Sequence, residues 1–257
     1  MENTVLKKFR EGQPSLGTFV AMGSPLAVES LRYTGLDYVI VDTEHTPAGI
    51  ESAALQIQAA QGAGLTALAR ANEISRTAVL RLLDVGAQGI VVPCVETVDE
   101  VQDLVSWAKF APLGNRGFCP TRDGGWGYAP EAASIPAYMD RCNRETLLLP
   151  QCETAGCLAH IEEICAMDGV DGIFVGPFDL SIALGHPGEF DAPEVHDAIL
   201  RVQAACRKHG KLSMIFTGDA AASRRRFDEG YDSATMGMDT LFYVGMYKQM
   251  AEDVWRK

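Results

Sequence analysis

Two acidic residues close apolar runs in this chain. Glu153 ends the run Thr146 to Cys152, and Asp179 follows a second run, within Gly176-Pro177-Phe178-Asp179-Leu180-Ser181. Such runs read as buried parallel strands. Residues just past the carboxyl ends of parallel strands converge on the face where α/β folds bind ligands. Two hard oxygen donors on that face suggest a site for a divalent cation. The alternative is a pair of solvated loop acids or helix caps, since Asp and Glu favour helix starts.

Other side chains fall at the same kind of position. Tyr38-Val39-Ile40-Val41 runs into Asp42-Thr43-Glu44-His45. An imidazole at a strand end is suited to proton transfer near neutral pH. The competing reading is a capping cluster, with Asp42 or Thr46 bonding backbone amides ahead of Pro47. His160 and His196 fall in predicted helices, His209 near a helix end and His186 in a loop, and no H-E-x-x-H pair is present, which argues against a zinc site of that type. Arg70 ends the run Ala67-Leu68-Ala69. Its planar, permanently charged fork suits a carboxylate or a developing oxyanion. A structural ion pair to Glu44 or Glu153 is the other reading, because a buried arginine needs a partner. Lys7, Lys8, Lys109, Lys208, Lys211, Lys248 and Lys257 are the full set of lysines, and none lies at a predicted carboxyl end; Lys211 begins a strand, on the opposite face. A Schiff-base mechanism needs a desolvated lysine in the site. Carbanion chemistry here would instead need a metal as electron sink.

These positions require eight strands to hold them. The candidates are Ser15 to Ala21, Asp37 to Asp42, Leu65 to Arg70, Gln88 to Val95, Thr146 to Cys152, Asp171 to Val175, Lys211 to Thr217 and Asp232 to Gly237. They are short and nearly continuously apolar, as expected for a sheet covered on both faces. Helical spacing appears in Glu51 to Gly62, Thr77 to Val85, Val98 to Lys109, Ala155 to Met167, Pro193 to His209 and about Leu241 to Trp255. Pro193 at a start and Gly210 after an end fit helix boundary preferences. Eight strand–helix alternations predict a (β/α)8 TIM barrel forming one domain over residues 1–257. A doubly wound open sheet is the alternative, and the lack of a G-x-G-x-x-G or P-loop removes support from its nucleotide-binding versions. A Gly-rich excursion at about 112–143 is too long for an ordinary loop. It follows a helix, and it is expected to fold over the barrel mouth or to pack on a neighbour.

Composition agrees with a folded enzyme-sized barrel. The chain has 257 residues, 47% hydrophobic and 22% charged, with net charge -12. That charge argues against nucleic acid and anionic membranes as partners, while a local cation still permits small anionic substrates. Met1-Glu2-Asn3-Thr4 leads into Lys7, Lys8 and Arg10 with no apolar stretch after them, so no secretory signal is expected, and no run reaches membrane-spanning length. The seven cysteines contain no C-x-x-C pair. Cys94, Cys152, Cys165 and Cys206 are expected to be buried thiols, in keeping with a cytoplasmic location.

Four stretches carry a resemblance. Val41-Asp42-Thr43-Glu44-His45-Thr46-Pro47, Leu82-Leu83-Asp84-Val85-Gly86-Ala87, Gln151-Cys152-Glu153-Thr154 and Gly172-Ile173-Phe174-Val175-Gly176-Pro177-Phe178-Asp179-Leu180-Ser181 resemble the HpcH/HpaI aldolases. The likeness runs in order from about Leu16 to the C-terminal helix. It implies metal-dependent cleavage of 4-hydroxy-2-oxo acids to pyruvate and an aldehyde through a stabilised enolate. By this resemblance Glu153 and Asp179 are metal ligands for Mg2+ or Mn2+, with Co2+ possible. Gln151, Gly176 and the backbone at Phe178 contact the oxo acid. His45 is the general base, Arg70 stabilises the enolate-like transition state, Asp84 raises the basicity of the base, and Asp42 contacts the aldol hydroxyl.

Asp84 stands near a helix end that should face the amino side of the barrel, whereas His45 faces the carboxyl side. A strand of five or six residues spans roughly 17–20 Å. Asp84 is therefore expected to act on a neighbouring subunit, consistent with the trimers of dimers common in the family. The chain departs from the family pattern in Phe118-Cys119-Pro120-Thr121-Arg122-Asp123-Gly124-Gly125-Trp126. There Thr121 is a candidate for the pyruvate carboxylate and Arg122 for a distal acid group. Other activities of the same site are oxaloacetate decarboxylation and β-hydroxyacyl-CoA cleavage, and a non-catalytic oxo-acid-binding barrel is a third possibility. The Arg224-Arg225-Arg226 run is the one compact basic cluster that could meet CoA, but helical phase would scatter it.

Overall fold

The computed structural model describes residues 2–256; Met1 and Lys257 lie outside the described residues. Among these residues eight parallel strands close into a barrel in sequential order. They are β1 (Ser15–Val20), β2 (Tyr38–Asp42), β3 (Thr66–Arg70), β4 (Gly89–Val92), β5 (Leu147–Cys152), β6 (Gly172–Val175), β7 (Leu212–Thr217) and β8 (Ser233–Met238). The helices are α1 (Thr4–Arg10), α2 (Pro25–Ser30), α3 (Ile50–Gly62), α4 (Arg76–Asp84), α5 (Val98–Ala108), α6 (Ile135–Glu145), α7 (Ala155–Ala159), α8 (Ile161–Ala166), α9 (Pro177–Ala183), α10 (Pro193–His209), α11 (Ala220–Asp228) and α12 (Asp239–Trp255). The predicted TIM barrel is thus the observed fold, and the open sheet is not.

Side chains of a strand alternate between its two faces, and both faces are buried here. Tyr38 and Ile40 of β2 join Leu68, Val91, Leu147, Leu149, Phe174, Leu212 and Met214 in one cluster, the barrel interior. The intervening residues Val39, Val41, Ala67, Ala69, Ile90 and Leu148 pack with helix residues such as Ile57, Val79, Val101 and Val202 in a second, outer layer. Each fully buried Leu, Val or Ile contributes about 2 kcal/mol, so the two layers together fix which residues of every strand point inward.

The amino end of the barrel is plugged. Val5 and Leu6 of α1 belong to the inner cluster, and the Asn3 side chain caps α1 while donating to the carbonyls of Gln88 and Glu145 at 3.0 and 3.1 Å. Lys109 is 1% exposed, and its ammonium donates to Asp171 Oδ2 at 2.7 Å and to the carbonyls of Thr146 and Asn143 at 2.6 and 3.2 Å. Burial pushes the Asp171 carboxyl up, and Lys109 opposes that push.

The structure differs from the sequence reading at several places. The helix expected over Ala155 to Met167 breaks at His160, whose backbone ends α7 and begins α8. The break lets Cys157 and Leu158 as well as Ile161, Ile164 and Cys165 reach the outer core. The strand expected to reach Val95 stops at Val92, because Pro93 has no amide to donate and Cys94 turns left-handed at φ 58°. That turn also leaves Cys94 exposed rather than buried, whereas Cys152, Cys165 and Cys206 are buried as expected, and all seven cysteines are free thiols. The 112–143 excursion contains two short 3-10 turns and the start of α6. It does not fold over the mouth of its own barrel. It joins the carboxyl end of α5 to the amino end of β5, and such connections lie at the amino face.

α12 stands apart: none of its residues is buried, and Leu241, Tyr243, Val244, Tyr247 and Met250 are each more than half exposed. No helix among the described residues is long and apolar enough to cross a membrane.

Removing one partner of a buried pair leaves an uncompensated charge. Lys109→Met should therefore lower unfolding stability by about 3 kcal/mol, read from urea-denaturation midpoints. A loss below about 1 kcal/mol, the worth of an exposed pair, would show that the Lys109–Asp171 pair does not brace the barrel floor.

Candidate active site

The inward phase of each strand carries through to its carboxyl end. After Tyr38 and Ile40 comes Asp42, after Leu68 comes Arg70, after Leu149 comes Gln151, and after Met214 comes Phe216. Asp42 and Arg70 are register partners on β2 and β3. Arg70 donates from Nε to Asp42 Oδ1 at 2.9 Å and from Nη2 to Asp42 Oδ2 at 2.8 Å. Its Nη1 lies 3.1 Å from Glu44 Oε2. The guanidinium also lies 4.6 Å over the ring of Phe19. The ion-pair reading of Arg70 thus holds for Glu44, and Asp42 is its main partner. Burial pushes the Glu44 carboxyl up, while Arg70 and then His45 pull it down.

This arrangement changes the reading of Asp42. The carboxylate is 0% exposed, and its Oδ1 accepts a further bond from the Glu44 amide at 3.0 Å. With both oxygens engaged and no access to solvent, it orients Arg70. His45 sits at the rim with its side chain 65% exposed, and its Nε2 is 3.7 Å from Glu44 Oε2.

On the other side of the mouth, Glu153 is 4% exposed. Its Oε1 accepts from the Cys94 amide at 2.7 Å, and its Oε2 accepts from Gln151 Nε2. The left-handed Cys94 backbone aims that amide. Burial pushes the Glu153 carboxyl up; the two hydrogen bonds oppose it, and the neighbouring Asp179 carboxylate pushes it further up. Asp179 lies exposed in the first turn of α9. Gly176 precedes this turn, and a Cβ there would stand 2.7 Å from Glu153 Oε2 and 2.9 Å from Gln151 Nε2. Only glycine lets β6 approach the acid this closely.

The lining side chains enclose about 270 Å³. His45, Arg70, Gln151 and Asp179 supply its polar side; Phe19, Phe174, Phe178, Phe216, Met238 and Leu241 supply an apolar wall. The Phe178 ring packs edge-on against Phe190 at 4.8 Å and lies 5.9 Å from Phe216. No lysine lines this cavity. Among the described residues no three His, Cys, Asp or Glu side chains gather into a complete metal cage. The donor set fits a hard cation that takes two protein carboxylates and fills its shell with substrate and water. The crowding of Glu153 by Asp179 is what such a cation would relieve.

Three of the candidate residues lie away from this mouth. Asp84, at the carboxyl end of α4, pairs with Arg116 at 2.9 Å. Thr121 lies on the amino-face excursion, where its carbonyl accepts from the amides of Gly124 and Trp126 at 3.2 and 2.9 Å. Arg122 is beside it, bonded to Gln61 and Val85. Neither Thr121 nor Arg122 reaches the mouth of its own barrel. The sequence reading passed over Asp42 as the main partner of Arg70, Glu44 as a neighbour of His45, and the wall of Phe19, Phe174 and Phe216. Strand alternation is the signal that would have found the three rings.

Comparison with known proteins gives a consistent answer. Residues 15–244 match the model of the HpcH/HpaI aldolase/citrate lyase family. The chain is 30% identical over 257 residues to the 5-keto-4-deoxy-D-glucarate aldolase of Klebsiella pneumoniae, covering 98% of each chain. It is 34% identical over 252 residues to the hydroxypyruvate/pyruvate aldolase of Sagittula stellata, again covering 98% of each. A crystal structure of an HpcH/HpaI aldolase/citrate lyase family protein from Burkholderia cenocepacia superposes with a TM-score of 0.89 at 31% identity, over 98% of this chain and 99% of that one. With the barrel, the strand-end acids and the arginine in place over the same span, the chain belongs to the HpcH/HpaI aldolase/citrate lyase family.

Proposed function

We propose that the protein is a divalent-cation-dependent aldolase that cleaves a 4-hydroxy-2-oxo acid to pyruvate and an aldehyde. The observation that carries this reading is one mouth holding the Glu153 and Asp179 carboxylates opposite a clamped Arg70, with no lysine lining it. The relatives named above as aldolases support the same class of carbon–carbon lyase.

Glu153 and Asp179 would hold the cation, Mg2+ or Mn2+ with Co2+ as a substitute, and that cation supplies Lewis-acid polarisation of the keto group. The protein's side chains do the rest. Gln151, with the backbone around Gly176 and Phe178, orients the oxo acid. Arg70, held by Asp42, presents fixed positive charge where the keto oxygen gains negative charge, and a preoriented donor needs no reorganisation during the reaction. His45 takes the proton from the C4 hydroxyl. The C4–O bond becomes the aldehyde carbonyl as the C3–C4 bond breaks, and its electron pair passes into the enolate of pyruvate. A proton returned to C3 completes pyruvate. The phenylalanine wall keeps bulk water from the enolate.

The rival CoA-dependent activity finds little support. Arg225 pairs with Asp191 at 2.6 Å and with Glu229 at 3.0 Å, and the largely buried Arg226 pairs with Glu229 at 2.6 Å. These pairs occupy two of the three arginines and leave only the exposed Arg224 of the run to meet a phosphoadenosine group.

The working protein is proposed to be a homo-oligomer, a trimer of dimers, in the cytoplasm. The bare apolar residues of α12 support an assembly, since patches of this kind mark interaction surfaces. Leu241 of α12 also borders the reaction cavity. In such an assembly Asp84 acts on a neighbour's His45.

Four experiments test this proposal. A retro-aldol screen of 4-hydroxy-2-oxo acids with coupled pyruvate detection should show turnover that EDTA abolishes and Mg2+ or Mn2+ restores. Glu153→Ala and Asp179→Ala should each lower it about a thousandfold, a loss of several kcal/mol of charge stabilisation. Near-native rates in folded variants would return both acids to a capping role. Borohydride added with pyruvate should leave the protein mass unchanged, and a covalent lysine adduct would overturn the mechanism. Mixing inactive His45→Ala and Asp84→Asn proteins under subunit exchange should recover part of the activity, because some mixed sites contain both native residues. A mixture that exchanges subunits yet stays inactive would remove Asp84 from the reaction.

A further inference from the structure

At the amino end of the barrel, opposite the mouth, a second cavity of about 340 Å³ lies under the excursion. Gln61 and Gln88 line it, as do Arg122, Arg141, Trp126 and Thr146. Its two arginines are unusual in their partners. Arg122 Nη1 donates to the neutral Gln61 side chain at 2.6 Å and to the Val85 carbonyl at 3.3 Å. The Arg141 Nε is buried and has no hydrogen-bond partner. The same guanidinium lies 5.3 Å over the ring of Tyr138, and its Nη2 reaches only the Cys142 sulfur at 4.0 Å. Among the described residues neither arginine has a carboxylate within ion-pair distance.

Acids do border the cavity, but they are engaged elsewhere. Asp123 accepts from the Tyr138 hydroxyl at 2.8 Å and from the Cys142 thiol at 3.3 Å. Glu145 is held by Arg10 at 3.1 Å. Burial pushes the Arg122 guanidinium down, and the nearby Asp123 carboxylate, which makes no ion pair with it, only partly opposes that push. The backbone leaves room for this group: Gly86 has φ +103°, and a Cβ there would stand 2.5 Å from Arg122 Nη1. In a chain of net charge -12, two half-buried and unpaired cations facing one hollow have a specific chemical complement.

We infer that this amino-end cavity is a binding site for a small dianion, held between Arg122 and Arg141. Planar guanidinium forks bind phosphate and carboxylate oxygens by paired charge-assisted bonds. The volume suits a phosphate group or a short dicarboxylate. Because Thr146 enters β5 and Ala87 and Gln88 enter β4, a bound anion ties the excursion to the two strands that lead to Glu153 and Cys94. The cavity shares no lining residue with the reaction cavity of the same subunit, and the inference does not rest on the aldolase proposal.

Isothermal titration of the intact metal-loaded protein with inorganic phosphate and, separately, with succinate tests the site, with Trp126 fluorescence as a second readout. Saturable binding of either anion, unaffected by saturating pyruvate, is expected, and the anion preferred tells a phosphate source from a dicarboxylate one. Arg122→Gln and Arg141→Gln should each weaken binding at least about tenfold, the worth of one charge-assisted bond. Thr146→Glu, which adds a carboxylate to the cavity, should abolish binding in a protein that circular dichroism shows to be folded. The KM for the oxo acid should stay the same in all three. The inference fails if neither anion binds saturably, if binding survives these substitutions, or if pyruvate displaces the anion. A KM that rises in step with the lost binding would also overturn it, since the arginines would then serve the reaction cavity of a neighbouring copy.

Discussion

A closed barrel of parallel strands permits two directions for a side chain, and the hydrophobic layers decide between them. Once Tyr38, Ile40, Leu68, Leu149 and Met214 fill the interior, a shift of one residue in any strand would send its inner set outward. The polar residue at the end of each strand has no independent choice. Asp42, Arg70 and Gln151 face the axis because the apolar residues two positions earlier do. The reaction site is in this sense the top layer of the core, with charge in place of hydrocarbon.

That placement has an electrostatic cost that the residues settle among themselves. Arg70 would be expensive to bury alone; Asp42 holds it from below with two parallel bonds, and Glu44 meets it from the rim. Glu153 has no such cation among its direct hydrogen-bond partners. An amide and a side-chain NH2 satisfy its oxygens, and burial and Asp179 raise its carboxyl above the usual range. One side of the mouth is therefore electrostatically closed and the other is short of positive charge. A cation-dependent enzyme has use for both conditions: a fixed donor for growing charge, and a ready pair of ligands.

Much of this was legible in the residues. Short, largely apolar runs marked all eight strands to within about three residues, and the acids and arginine at their ends marked the mouth. The failures have physical causes. Pro93 cut a strand short and Cys94 turned left-handed, neither of which an apolar run reveals. The pairing of Asp42 with Arg70 went unread because spacing gives a position but not a partner, and the partner lies 28 residues away on the next strand. Thr121 and Arg122 lie at the amino face and do not reach the mouth of their own barrel. The fact that their segment links a helix to the following strand already pointed to the amino face.

Gly176 divides the pocket into a part that can change and a part that cannot. Its missing side chain is the space occupied by Glu153 and Gln151, so any larger residue on β6 at that point would push the acid out of position. Beside it, Phe174 and Phe216 line the same cavity mainly by bulk, and volume-conserving exchange of one apolar side chain for another is tolerated best. Variants that accept new aldehydes are thus open to this scaffold through its aromatic wall, while the end that handles the oxo acid stays as it is. Phe19 is the exception in that wall, because its ring lies 4.6 Å beneath the Arg70 guanidinium and a change there reaches the fixed charge as well as the shape of the pocket.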